Sequence, residues 1–306
     1  MRMSSDVEAA DVSVIIATFE RPDVLRSCLE HLEAQSTQPR EVVVVDASRD
    51  DFSAHVAEGF PRVRYLRNDE GIGTLPRSRQ IGVDNTDGDV VAFLDDDSLA
   101  SPNWVREVAA AFGPGVGGVA GRARNGQPNE ATTGVDEIGT FRRDGTLTGN
   151  FAADPGQIVE VDHVMGCNMS FRRAALRSAG GIPAWPAGVS ALREDLFISL
   201  RVRDAGWRLV FNPAADVLHL GAPQAKGKRF DLRYDLNGWR NHFFVLVAHF
   251  GLSSPIVWRC AGAMARGQLG AAVRSSAAAV ARLGAATVGS AIGIRRGIGY
   301  RRRNIS

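Results

Sequence analysis

Three consecutive carboxylates, Asp95-Asp96-Asp97, follow directly on the apolar run Val90-Val91-Ala92-Phe93-Leu94. That run has the length and β-branched character of a buried strand, so it delivers the three acids together at its C-terminal end. In an open α/β sheet this is the edge where ligands bind. Adjacent acids repel one another and call for a counter-charge, which a divalent cation carrying phosphate oxygens supplies. On these residues alone, a solvated acidic turn is the competing reading. Asp46 closes a second apolar run, Val42–Val45, and can hydrogen-bond a base edge or a ribose. His219 can complete a metal shell, because imidazole suits Mn²⁺ better than Ca²⁺. Glu194-Asp195 opens a helical segment, where the pair is either a set of first-turn helix acids or a proton acceptor.

The elements that must position these residues alternate. Val12–Ala17, Glu41–Asp46 and Arg62–Leu66 read as strands, and so does the run ahead of the triple aspartate. A helix opens at Arg21-Pro22 and carries Val24, Leu25, Cys28, Leu29 and Leu32 at helical spacing. A second helix covers Leu75 to Asn85. Ser101-Pro102 is expected to cap a third, which reaches Phe112. This alternation predicts an α/β fold with a doubly wound, mostly parallel sheet. Residues 113–156 are rich in Gly, Arg and polar side chains, as expected of strands and loops beside a substrate cleft. Beyond them, Ala174–Ala179 and a segment opened by Arg193-Glu194-Asp195 read as helices. Trp207–Phe211 reads as a strand, and His219 stands just beyond another short one.

Composition narrows the class. The 306 residues suit one large α/β domain with an extension, expected as a domain over 12–222 followed by a basic, mainly helical extension over 223–306. Residues 1–11 carry acids without an apolar core, which suits a disordered lead-in and not a signal peptide. Three widely spaced cysteines without a CxxC pair point to a reducing, cytoplasmic setting and no structural zinc. The net charge of +2 hides an asymmetry: residues 223–306 hold 14 of the 36 Lys+Arg but only two of the 34 acids. Such a basic module meets an anionic partner. Nucleic acid is disfavoured, because no zinc or homeodomain pattern accompanies the charge. The Ala/Gly-rich stretch 254–294 is interrupted by Arg259, Arg266, Arg274 and Arg282, so no uncharged run spans a bilayer. A helix lying on an anionic membrane surface, peripheral on the inner face, and a helical pair packed against the catalytic domain are its two readings.

A nucleotide-sugar needs a base pocket, a metal for its diphosphate and room for the sugar. The loop Ala17-Thr18-Phe19-Glu20-Arg21 and Asp46 can cradle a nucleoside, and Asp97 with its neighbours can hold Mg²⁺ or Mn²⁺ through hard oxygen ligands. Taken in order, Ser13–Phe19, Val44-Val45-Asp46, Arg79-Gln80-Ile81-Gly82, Phe93–Asp97, Gly166-Cys167-Asn168-Met169, Glu194-Asp195 and His219 resemble the family 2 inverting glycosyltransferases of the GT-A fold. The resemblance covers residues 12–220. It implies a nucleoside diphosphate-sugar donor, UDP or dTDP first, bound through a divalent metal, and a glycan or lipid-linked acceptor. By motif it assigns Asp46 to the nucleoside, Asp97 and His219 to the metal, Asp95 and Asp96 to ribose or sugar, and Asp195 to general-base duty. Glu194 is the fallback base, since Leu196 and Phe197 stand where many relatives carry another acid. Arg79 matches an Arg-Asn pair in which Gln80 here replaces the Asn.

Trp185, Trp207 and Arg193 flank the Glu-Asp block and are candidates for an acceptor groove, with core packing the other reading of Trp207. Asn168 is a candidate hydrogen-bonding group for donor or acceptor, against a local turn role. Two other classes compete. A non-catalytic nucleotide-sugar or glycan-binding module would keep Asp46 and the triple aspartate but could lose Asp195. A nucleotidyltransferase would need a Gly-rich phosphate loop with lysine near the N-terminus, and the only lysines are Lys226 and Lys228.

Overall fold

The computed structural model describes residues 11–126, 130, 132–186, 190–221, 231–274 and 277–304. The expected lead-in and both lysines therefore lie outside the described residues, apart from Asp11. The chain forms two compact units. The first gathers residues 1–140, 149–188 and 198–222, and the second gathers 141–148, 189–197 and 223–306.

The first unit is built on one mixed sheet. Strands β1 (Val12–Thr18), β2 (Glu41–Asp46), β3 (Val63–Arg67) and β4 (Val90–Asp95) pair in parallel in the order β3-β2-β1-β4. The continuous apolar runs of β1, β2 and β4 are buried on both faces. Val12, Val14 and Ile16 pack with Leu25, Leu29 and Leu32 of helix α1 (Pro22–Glu33) on one face. Ile15, Val43, Val45, Val91 and Phe93 join Phe171 and Leu176 on the other. Beyond β4 the sheet changes direction. Strand β8 (Asn168–Arg172) runs antiparallel between β4 and β6 (Val116–Arg124), and β6 pairs in parallel with β9 (Arg208–His219). The antiparallel strands β5 (Ser98–Ala100) and β7 (Val159–Val161) add to β9.

Sequence expectation and structure part at several points. Helix α2 (Phe52–Glu58) is only seven residues long, too short to declare an apolar period. The third expected helix starts later, as α4 (Trp104–Ala110) with Asn103 at the N-cap position. Ser101 is not its cap: its N–H donates to Asp216 O, and its carbonyl accepts from Trp104 N. Helices α3 (Leu75–Asp84) and α5 (Arg173–Ser178) fall where the pattern predicts. The two expected strands near His219 are one, β9, which stays continuous past a bulge: its register against β6 jumps between Gly121/Asn212 and Arg122/Asp216.

The second unit is helical. Helices α7 (Leu232–Phe250), α8 (Pro255–Arg274) and α9 (Ala277–Asn304) supply it, together with the first turn of α6 (Glu194–Asp204). Asp231 caps α7 by accepting from Tyr234 N at 2.7 Å. Phe243, Leu246, Val247, Val257 and Cys260 form the core, with Ile294 and Ile298 against it. No helix among the described residues is long and apolar enough to cross a membrane.

Candidate active site

Asp95 ends β4, and Asp96 and Asp97 form the turn into β5. Antiparallel pairing then sets Ser98 opposite His219 at the end of β9. This brings one side-chain atom from each of Asp95, Asp97 and His219 within 4.8 Å of the others. Two hard carboxylate oxygens and one imidazole nitrogen form a donor set that suits Mn²⁺ or Mg²⁺. Asp97 and His219 are 3% exposed, whereas 32% of the Asp95 side chain remains open. A ligand therefore reaches the cluster from the Asp95 side. His219 Nε2 lies 3.2 Å from Asp97 Oδ1, and its Nδ1 meets Asn125 Oδ1 at 2.9 Å. Burial disfavours the imidazolium, but Asp97 and Cys167 beside it outweigh that and push His219 up to about 10. Burial, with Asp97 as a like charge, raises Asp95, and Arg79 opposes the rise.

Asp96 points the other way. It is fully buried and accepts from Thr18 Oγ1 at 2.7 Å and from Arg21 Nε at 3.1 Å, with a second, shorter bond from Arg21 Nη2. Burial pushes it up to about 7 against the pull of Arg21 and Thr18. Arg21 also reaches Asp97 at 3.6 Å. The middle aspartate thus ties the β1–α1 loop, with half-buried Phe19 at its centre, to the edge that carries the cluster. Contact with ribose or sugar, expected of it, is blocked by that burial. Arg79 is 3% exposed and bridges Asp95 at 3.3 Å and Gly166 O at 2.8 Å, so it too holds the edge in place.

Asp46 is fully buried at the end of β2. It accepts from Ser48 N at 2.8 Å, Ser48 Oγ at 2.5 Å and Tyr65 OH at 2.8 Å, with Arg67 at 3.9 Å. The groups that reach the surface here are Tyr65 and Arg67, neither of which the acid pattern singled out. Asn168 is 1% exposed and spent internally: it accepts from Trp104 Nε1 and donates to the carbonyls of Arg122 and Ala215, each at 2.9 Å. Gly121 leaves the room for it, since a methyl there would lie 2.2 Å from Asn168 Nδ2. Asn168 is therefore a cross-strand tie, which corrects its reading as a ligand group. Trp207 packs against Gly117 and donates to Ser178 Oγ at 3.0 Å, a structural role, whereas Trp185 is half-buried in the first unit.

Glu194 and Asp195 stand in the first turn of α6, within the second unit. Glu194 is fully buried, while Asp195 is half-buried, so Asp195 is the carboxylate open to a reactant. Arg193 before them is exposed, with φ of +75°. The segment is held from below. Asn241 Nδ2 donates to Ser190 O at 2.6 Å and to Leu192 O at 2.9 Å. Phe197 packs edge-on against Phe244 at 6.0 Å and Tyr300 at 5.6 Å. Helices α7 and α9 thus fix the turn that presents Asp195. Nothing in the local sequence marks Asn241 for this task, because the carbonyls it serves are distant in the chain.

Comparisons with known proteins show the family and the fold. Residues 13–180 match the family model described as glycosyl transferase family 2. This chain belongs to that family. A glucosyl-dolichyl phosphate glucuronosyltransferase of Haloferax volcanii is 30% identical over 230 residues, covering 68% of each chain. Glycosyltransferase AglE of the same organism is 32% identical over 129 residues, 40% of this chain and 42% of its own length. Among solved structures, the mannosyltransferase PcManGT of Pyrobaculum calidifontis, in complex with GDP-Man and Mn²⁺, superposes with a TM-score of 0.58 at 17% identity. That match covers 99% of this chain and 91% of the other. GalNAc-T7 with UDP, GalNAc and Mn²⁺ gives 0.54 at 16% identity, over 78% and 48%. The fold of this family 2 glycosyltransferase is accordingly GT-A.

Proposed function

We propose that this glycosyltransferase moves a sugar from a nucleoside diphosphate-sugar to a hydroxyl acceptor, with inversion and with a divalent metal, in the synthesis of a surface or lipid-linked glycan. The observation that carries the reading is the Asp95, Asp97 and His219 cluster at the C-terminal edge of the parallel strands. Those three residues would hold Mn²⁺ or Mg²⁺, which would supply positive charge to offset that developing on the departing diphosphate. Thr18 at the end of β1 and Phe19 and Arg21 of the loop after it form the nucleoside side in this reading, with Tyr65 and Arg67 anchored by Asp46. UDP and dTDP are the first nucleotides to test. GDP joins them because a neighbour in fold was solved with GDP-Man.

In a single displacement the acceptor oxygen attacks the anomeric carbon as the bond from that carbon to the diphosphate oxygen breaks. Asp195 takes the proton of the attacking hydroxyl, a contribution of about 10²–10⁴-fold. Arg193 and Trp185 are the acceptor-side residues in this reading. A peripheral position on the inner face of a membrane fits the exposed Leu232, Trp258, Val288 and Ile292 and the arginines of α9. The name of the Haloferax relative supports a lipid-linked acceptor. The test is transfer from a panel of sugar nucleotides to a polyprenyl-phosphate-linked sugar, with the product's anomeric configuration read by NMR. Inverted product that requires metal supports the proposal, and retained configuration contradicts it.

A further inference from the structure

Two arginines of the helical unit carry shielded nitrogen atoms that nothing among the described residues satisfies. On α7, Nη2 of Arg240, and on α9, Nη1 of Arg296, are closed off from solvent and have no hydrogen-bond acceptor. The acids of α7 are engaged elsewhere: Asp235 pairs with Arg282 at 2.7 Å, and Asp231 caps the helix. Burial first, then the charges of Arg296 and Arg233, lowers the Arg240 guanidinium to about 10. Among the described residues, the charges that act on half-buried Arg240 are those of Arg296 and Arg233, an unfavourable arrangement, since shielded charges are otherwise found paired.

The helix seam forces them together. Gly289, Gly293 and Gly297 recur every fourth residue along α9 and face α7. A methyl at Gly293 would lie 2.1 Å from Arg240 O, and one at Gly289 would lie 2.4 Å from Leu236 O. The backbones therefore touch, and Arg296, one turn after Gly293, is carried up to Arg240. Only an anion between them turns this repulsion into attraction.

We infer that Arg240 and Arg296 form a binding site for a phosphate-class anion, with exposed Arg233 at its rim. A planar guanidinium presents paired N–H donors that match two phosphate oxygens, and two such groups match a dianion. The phosphate belongs either to a lipid headgroup or to a soluble molecule. Exposed Leu232, Val288 and Ile292, on the same two helices, favour the lipid. The site also touches the strut beneath α6. Arg240 Nε donates to Asn241 Oδ1 at 3.0 Å, and Asn241 in turn holds the carbonyls of Ser190 and Leu192. Binding here is independent of the transferase reading, since its readout needs no turnover.

The test uses the full chain in chelator, with Arg240→Gln and Arg296→Gln beside the wild type. Thermal unfolding is followed with pyrophosphate against chloride of equal ionic strength. Co-sedimentation is followed with phosphatidylcholine vesicles with and without phosphatidic acid. Relief of repulsion should make Arg296→Gln unfold at a higher temperature than wild type in phosphate-free buffer. Wild type should then gain stability from pyrophosphate, or sediment with the phosphatidic acid vesicles, and both variants should lose about tenfold in that response. Recruitment to vesicles without a pyrophosphate effect identifies a lipid phosphate, and the reverse a soluble one. Variants that respond like wild type, a wild type that responds to neither probe, or an Arg296→Gln protein less stable than wild type would each overturn the site.

Discussion

His219 Nε2 stands 3.2 Å from Asp97 Oδ1 because β5 pairs with β9 so that Ser98 lies opposite His219. A three-residue strand thus brings two distant motifs together as one side of the candidate metal site. Burial opposes the imidazolium of His219, but Asp97 and Cys167 beside it push the group up to about 10.

Metal must displace that proton, so affinity for Mn²⁺ should rise about tenfold per pH unit between pH 6.5 and 8.5. Calorimetry in buffers of different ionisation enthalpy counts the proton released. In chelator the linkage has the opposite consequence for stability. The folded value lies above the usual 6.5, so the contribution is complete below pH 6.5 and is lost as pH rises towards 10. Denaturant titrations should show that loss in wild type and not in His219→Gln.

Asp96 acts inside the protein, as a tie between the β1–α1 loop and the metal-binding edge. Asp96→Ala leaves Arg21 and Thr18 without their shared acceptor and should cost about 2 kcal/mol, a value moderated by the partial exposure of Arg21. Urea unfolding of the metal-free protein checks this. An unchanged midpoint would mean that the loop is held by other contacts.

If Asp195 is the proposed base, Asp195→Asn should lower transfer by about 10²–10⁴-fold while donor affinity stays within a few-fold, because that role touches the attacking hydroxyl and not the donor. Single-turnover rates together with nucleotide titrations separate the two effects. Retention of full transfer would remove Asp195 as the base and move attention to Glu194, which is fully buried.

Gly293→Ala places a methyl 2.1 Å from Arg240 O and must push α9 away from α7. The expected cost is about 1–3 kcal/mol, as for other overpacked contacts. Phe197 packs on Phe244 of α7 and Tyr300 of α9, so transfer should fall with stability, by about tenfold. Thermal unfolding and initial rates measure both. A variant that is destabilised yet fully active would show that the seam does not hold the Asp195 turn.

The parallel half of the sheet was legible because β1, β2 and β4 are continuous Val/Ile/Leu runs, each buried on both faces. Three features were not. Ser98-Leu99-Ala100 is too short to show a period, and its strand character comes only from β9. Asn168 looks like a site residue in the sequence, yet its bonds to Trp104, Arg122 and Ala215 depend on a strand order that local pattern does not encode. The reliance of the Glu194-Asp195 turn on Asn241 is likewise a long-range fact. Residue types thus pointed to the chemistry, and the division of labour among the three aspartates emerged only from their burial.

The most direct test of the central claim is calorimetric titration of UDP, dTDP, GDP and CDP into wild-type protein with Mn²⁺, repeated in chelator and with Asp97→Ala. The account predicts that one nucleotide binds with metal, and that binding weakens at least about a hundredfold in chelator and in the variant. Equal nucleotide affinity under all three conditions would contradict it, because Asp95, Asp97 and His219 would then hold no metal that the donor uses.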